Sequence, residues 1–196
     1  MTTLRETFRA ARPPSTVVRM GRERRINLAG GLYHVGAEGN DGRPIVVDWA
    51  DCARWTSLLE TAQEKHSWIV HVHCLMTTHF HLLVETPKAN LSDGMHWLNH
   101  VYAKTFNRRH DRRNHVFGKR FWDDVILSDE QLVGVTRYIA LNPVKAGLCK
   151  RPQDWPWSNY GALYAVAMGH TALPPTSVRG LVAQGARLAA RAATAA

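Results

Sequence analysis

This 196-residue chain contains no uninterrupted apolar run of about 18 residues or more, so no membrane-spanning helix is expected. The opening MTTLRETFRAARPP lacks the hydrophobic core of a secretory signal, which argues against export and for a cytoplasmic protein. Cysteine is scarce: Cys52, Cys74 and Cys149 make an odd count without Cys-x-x-Cys spacing. That argues against a disulfide framework and a Cys-x-x-Cys metal site, and reads as reduced, partly buried thiols. Acidic residues are the minority, 16 against 25 Lys and Arg, for a formal charge of +9. A pI near 9.9 favours a polyanionic partner through counterion release. There is no internal repeat. The remaining composition, 45% hydrophobic and 21% charged, is that of one globular domain able to bury a core.

Residues 1–29 carry seven arginines and few large apolar groups, and read as a basic arm. Residues 30–168 hold the patterned segments, and 169–196 form an Ala/Arg-rich tail, partly disordered in expectation. Alternation predicts a strand over Gly31–Gly36, with Ile45–Val47 as an extended continuation after a Gly-rich turn. Helical spacing follows from Ala50 to about Lys65. WIVHVHCLM (68–76) reads as a strand, Thr77-Thr78 as a turn and HFHLLVE (79–85) as the antiparallel return. Leu91–Arg109 is helical, Phe121–Leu127 a fourth strand. Ser128 and Gln131 form a capping-box signature that opens a helix running to Asn142, where Pro143 ends it. A short helix near Ser158–Met168 follows. The order strand–helix–strand–strand–helix–strand is that of the ferredoxin-like split βαβ. The fold class is therefore α+β, an antiparallel sheet with helices on one face and an extra helix carrying Tyr138.

HVHCLMTTHFHLLVE (71–85) holds two His-x-His pairs. Residues i and i+2 of a strand share a side, so His79 and His81 present two imidazoles together while Phe80 points away. His71 and His73 make a similar pair. Spacing alone leaves three readings open: strand histidines satisfied by hydrogen bonds, a zinc cluster with Cys74, or one half of a divalent-metal site. Structural zinc sites usually draw their pairs from separate loops or a loop and a helix, which weighs against the cluster.

Among the five tyrosines, Tyr138 and Asn142 stand at i and i+4 on one helical face, with Gly134 one turn earlier leaving room and Leu132, Val135 and Ile139 beside them. Breaking a phosphodiester covalently needs an oxygen nucleophile held in line with the leaving oxygen. A phenol of pKa near 10 also needs a metal or cation nearby. Spacing alone favours a helix-edge aromatic with its hydroxyl in water. Tyr102 is the fallback nucleophile, although packing on the sheet explains it better.

CLMTTHFHLLVETP, RYIALNPVKAGL and DWPWSNYGAL, in that order, resemble the single-tyrosine transposases of the HUH superfamily, in their REP-associated branch. The resemblance runs from about Gly31 to Tyr164. It differs at Met76-Thr77-Thr78, where the family usually has Met-Pro-Asn, and at Ala37-Glu38, where it usually has an arginine. The resemblance implies that His79-Phe80-His81 is the histidine motif, that Tyr138 is the nucleophile and that Asn142 is the third metal ligand. Two imidazoles and an amide suit Mg²⁺ or Mn²⁺. It implies single-stranded DNA hairpins as partner, and leaves monomer and homodimer open. His71 and His73 fall where the family carries apolar or aromatic strand residues, so they read as structural or DNA-adjacent.

The basic run Arg108, Arg109, Arg112, Arg113 with Lys119 and Arg120 is solvated charge by default. Phe106, Phe117, Phe121 and Trp122 interleave with it, a composition suited to single strands, where guanidinium groups hold phosphates and rings stack bases. Trp155, Trp157 and Tyr160 read as packing residues. The expected activity is metal-dependent nicking and rejoining of single-stranded DNA. The alternative is a non-catalytic nucleic-acid-binding protein of the same fold.

Overall fold

Alternation in GLYHVGAE sends Tyr33, Val35 and Ala37 to one side of a strand and His34, Gly36 and Glu38 to the other. This split organises the protein, whose computed structural model describes residues 27–169. The strands β1 (Gly31–Glu38), β2 (Ile69–Leu75), β3 (His79–Thr86) and β4 (Trp122–Val125) form one sheet in the order β2-β3-β1-β4. Every pairing is antiparallel. The helix α1 (Trp49–His66) links β1 to β2, and α2 (Leu91–Arg109) links β3 to β4, which completes the split βαβ. Two more helices follow, α3 (Asp129–Lys145) and α4 (Tyr160–Ala167). None of the described helices is long and apolar enough to cross a membrane.

Each face of the sheet has its own core. Tyr33, Val35, Phe80, Leu82 and Val84 pack under α1 and α2 against Trp55, Leu59, Leu98 and Tyr102. Full burial of such side chains contributes about 1.5–3 kcal/mol each. On the opposite face Val72, Cys74 and Leu83 lie under Ile139 and Ala140 of α3 and Leu163 of α4. Sequence patterning placed α1 and α2 together but did not assign α3 to the far face. That assignment puts Tyr138 on the same side as His79 and His81.

The outer edge of β2 is covered by the aromatic segment DWPWSNY, which sequence patterning expects only to pack on the core. Leu75 N donates to the Trp157 carbonyl, and Trp155 Nε1 donates to the Leu75 carbonyl, both at 2.9 Å. The Asn159 side chain accepts from His73 N (2.8 Å) and donates to the His71 carbonyl (3.1 Å). An exposed strand edge is thereby closed.

Several boundaries differ from expectation. Pro143 does not end α3, which continues to Lys145. A proline removes one donor, and the helix recovers at once because Ala146 N reaches the Asn142 carbonyl at 3.0 Å. Phe121 is drawn into the core and Leu127 is 80% exposed, so β4 is shorter than its apolar pattern. Residues 45–47 join no strand, although Ile45 N donates to the Thr77 carbonyl at 2.8 Å. The basic arm apart from residues 27–29, and the tail apart from Gly169, lie outside the described residues.

Candidate active site

The site begins with register. Gly36 of β1 stands opposite His81 on one side and Trp122 on the other. A Cβ at Gly36 would collide with the Trp122 ring, so only glycine lets that indole lie across β1 beside the histidines. His79 and His81 share this face, their ring centroids 5.0 Å apart. Phe80 points into the opposite core, as the alternation required.

α3 then brings in the phenol. The Tyr138 ring centroid lies 5.3 Å from that of His81 in the same chain, edge to face. One turn on, the Asn142 amide nitrogen donates to the Tyr138 carbonyl at 3.4 Å. The Asn142 side chain also acts on the His79 ring, raising its pKa against the effect of burial. Lys145, two turns after Tyr138, holds its Nζ 5.6 Å from the phenol ring centroid. Ser128 caps the start of α3 by accepting from Gln131 N at 3.2 Å, and Gln131 Oε1 accepts from Leu127 N at 2.8 Å. The capping-box side chain thus reaches back one residue further than the usual pattern.

Burial lowers the pKa of both His79 and His81 below the ordinary histidine value. For His79 the Glu38 charge and the Asn142 hydrogen bond partly oppose that fall. For His81 the neighbouring His79 and His34 add to it. Both imidazoles are neutral near pH 7 and have a lone pair to offer. His79 Nδ1 is engaged by Thr78 Oγ1 at 3.0 Å. His81 Nε2 is buried and has no hydrogen-bond partner. An orphaned buried nitrogen is costly unless something accepts its lone pair. The side chains here that could hold a divalent ion are His79, His81 and Asn142, and their donor set fits one. Among the described residues no group of three or more His, Cys, Asp or Glu is placed to hold a metal, which removes the four-histidine zinc cluster.

The family model described as "Transposase IS200 like" matches residues 32–140, more than half of the chain, from β1 through Tyr138. The chain belongs to the IS200-like transposase family. Within it the chain is 26% identical over 156 residues to a protein of Haemophilus influenzae assigned to the REP-associated tyrosine transposases, covering 72% of this chain and 86% of that one. A REP-associated tyrosine transposase of Escherichia coli is 28% identical over 100 residues, half of this chain and 54% of the relative. A solved REP-associated tyrosine transposase bound to a REP hairpin superposes with a TM-score of 0.62 at 20% identity, over 78% of this chain and 89% of the other. At that identity the superposition is a statement about the α+β fold.

Other expectations for this transposase chain resolve differently. Tyr102 is 1% exposed, and its hydroxyl donates to the Ile45 carbonyl at 2.6 Å. Burial also raises its pKa, so the fallback nucleophile is a structural residue. His71 and His73 are not a same-side pair, because a bulge between Val70 and Val72 breaks the alternation. His71 Nε2 pairs with Glu85 at 3.1 Å, whereas His73 packs near Trp55. Of the interleaved aromatics, Phe106 and Phe121 are core residues and unavailable for stacking.

The basic residues also divide. Arg109 bonds Asp48 and Asp51, both at 2.6 Å, and His110 also reaches Asp51. Arg112 lies over the Phe106 ring at 5.3 Å. Arg108, Arg113, Lys119 and Arg120 are exposed. Gly118 N donates to the Glu38 carbonyl at 3.1 Å, and Glu38 stands opposite His79, so the Lys119–Arg120 loop lies at the histidine end of the sheet. His34 and Lys145 were missed as site residues by sequence reasoning, and Trp122 was read as a stacking aromatic of the basic run and not as a neighbour of the histidines.

Proposed function

We propose that this protein is a metal-dependent transposase that nicks and rejoins single-stranded DNA at REP-type hairpins in the cytoplasm. One observation carries the reading: the Tyr138 ring stands 5.3 Å from His81, whose Nε2 is buried without a partner. Kinship to REP-associated tyrosine transposases, one of them solved on a REP hairpin, supports the choice of DNA.

In this mechanism His79, His81 and Asn142 would hold Mg²⁺ or Mn²⁺, which would supply polarisation of the scissile phosphate and compensation of developing negative charge. Tyr138, having lost its phenol proton to solvent, attacks phosphorus. A Tyr–O–P bond forms, the P–O3′ bond breaks, and the departing 3′ oxygen takes up a proton. The product is a 5′-phosphotyrosine and a free 3′-hydroxyl. Attack by another 3′-hydroxyl reverses the step and expels the phenol, so no external energy source is needed. Lys145 assists by placing a cation beside the forming phenolate. Arg108, Arg112, Arg113, Lys119 and Arg120 contact the strand's phosphates, while Arg109 serves chiefly the α1–α2 junction.

A labelled REP-type hairpin incubated with the protein and Mg²⁺ or Mn²⁺ should give a denaturation-resistant protein–DNA adduct and a free 3′ end, both abolished by chelation. Tight binding of the hairpin without adduct under any divalent ion would contradict the enzyme reading and leave a binding protein.

A further inference from the structure

β1 contributes a side chain to the site that neither the histidine motif nor the tyrosine helix supplies. His34 is 8% exposed and stands on the histidine face of the sheet. Its ring lies 4.6 Å from Trp122, 5.3 Å from His81 and 5.7 Å from Tyr138 by centroids. Its Nε2 is 3.3 Å from His81 Nδ1. A hydrogen bond between two ring nitrogens needs one donor and one acceptor, so a single proton lies between these rings. The other nitrogen of His81, Nε2, is the buried atom without a partner.

We infer that His34 is a positioning residue that accepts the Nδ1 proton of His81 and so fixes the tautomer in which Nε2 offers its lone pair. With the proton on His81 Nδ1, Nε2 carries none and needs an acceptor of electrons rather than of hydrogen. With the proton on Nε2 instead, a buried donor would be left unmade and the nitrogen closed to a cation. Metal-binding histidines generally have the second nitrogen held by a carboxylate, a carbonyl or water. Here a second imidazole occupies that place. It comes from the adjacent strand, wedged between Trp122 and Tyr138, so the same ring also limits how α3 can settle over the sheet. The inference rests on the proposed role of His81 as a ligand, and its test separates the two.

The tautomer is read first, by ¹⁵N NMR of the histidine rings in the metal-free, DNA-free protein near pH 7.5. His81 should carry its proton on Nδ1, with His34 Nε2 as acceptor. Mn²⁺ affinity is then measured by titration calorimetry or electron paramagnetic resonance, without DNA. His34→Phe keeps the ring but removes the acceptor. It should redistribute the His81 proton and weaken Mn²⁺ binding by about 10–100-fold. His34→Gln, whose amide oxygen reaches the position of Nε2, should restore both, which a packing role alone would not do. Mn²⁺ binding by a wild type whose metal-free His81 carries its proton on Nε2, or affinity unchanged in a folded His34→Phe, would overturn the inference while leaving the metal site intact. The Nδ1-protonated tautomer in a protein that binds no Mn²⁺ would support the His34 contact and contradict the metal reading instead.

Discussion

At the residue scale, Tyr138 is surrounded by groups of three kinds: the neutral imidazoles of His34 and His81, the Asn142 amide and the Lys145 ammonium. Only the last is a cationic side chain. Replacing it by Lys145→Gln should slow adduct formation by about tenfold, the scale of a cation beside an aromatic ring. Hairpin affinity should change little. A loss confined to binding would show instead that Lys145 holds phosphate remote from the phenol. These residues differ in how far the sequence revealed them. That His79 and His81 share a face, and that Tyr138 and Asn142 do, follows from local periods of two and four; their selection as a site came from the family resemblance. His34 follows from neither, because its role depends on β1 lying beside β3 in one register, with Gly36 opposite His81. Lys145 was hidden by Pro143: with the helix expected to stop there, residue 145 had no assignable face.

At the element scale, the ends of α1 and α2 meet in a charged cluster that periodicity does not announce. Asp48 caps α1 by accepting from Asp51 N at 3.1 Å, and both carboxylates then receive Arg109 from the last turn of α2. Asp51, only 2% exposed, also accepts from Val47 N at 2.9 Å. Sequence patterning read Arg109 as equivalent to its neighbours, since a run of like charges gives no sign of which member meets a carboxylate from a distant helix. The difference is measurable. Arg113→Ala should reduce the salt dependence of hairpin binding by up to one phosphate contact, a change of about 0.7 in the log–log slope. Arg109→Ala should leave that slope unchanged and lower the melting temperature. The reverse pattern would show that Arg109 is turned to the DNA and that the carboxylates matter little. The bulge at His71 is a comparable case: Ile69 and Leu75 pair regularly, and nothing in IVHVHCL marks where the alternation slips.

At the scale of the whole molecule, the sheet divides labour between its faces. One face is sealed under α1 and α2, and the other holds a smaller core beneath α3 and α4 together with the histidine site. The element order made the first face legible. The second needed the course of the chain after β4, where sequence offers a helix but no direction. Burying histidines on both sides has a cost at low pH. Burial pushes the His73 pKa from 6.5 down to about 4, and His34 likewise to about 4. The folded values lie below the unfolded ones. As pH falls from about 6.5 towards 4, the unfolded chain therefore takes up protons that the folded protein refuses, and stability present above pH 6.5 is lost. Thermal unfolding followed from pH 7.5 to 4 should show a falling melting temperature across that window; a flat profile would mean that these rings are solvated. The central claim is that the phenol of α3 does the cutting beside the β3 histidines. Its most direct measurement is mass-spectrometric mapping of the protein–DNA adduct formed on a REP-type hairpin with Mn²⁺. The nucleotide is expected on Tyr138, with no adduct from Tyr138→Phe; a nucleotide on any other residue, or an adduct that survives the substitution, would contradict it.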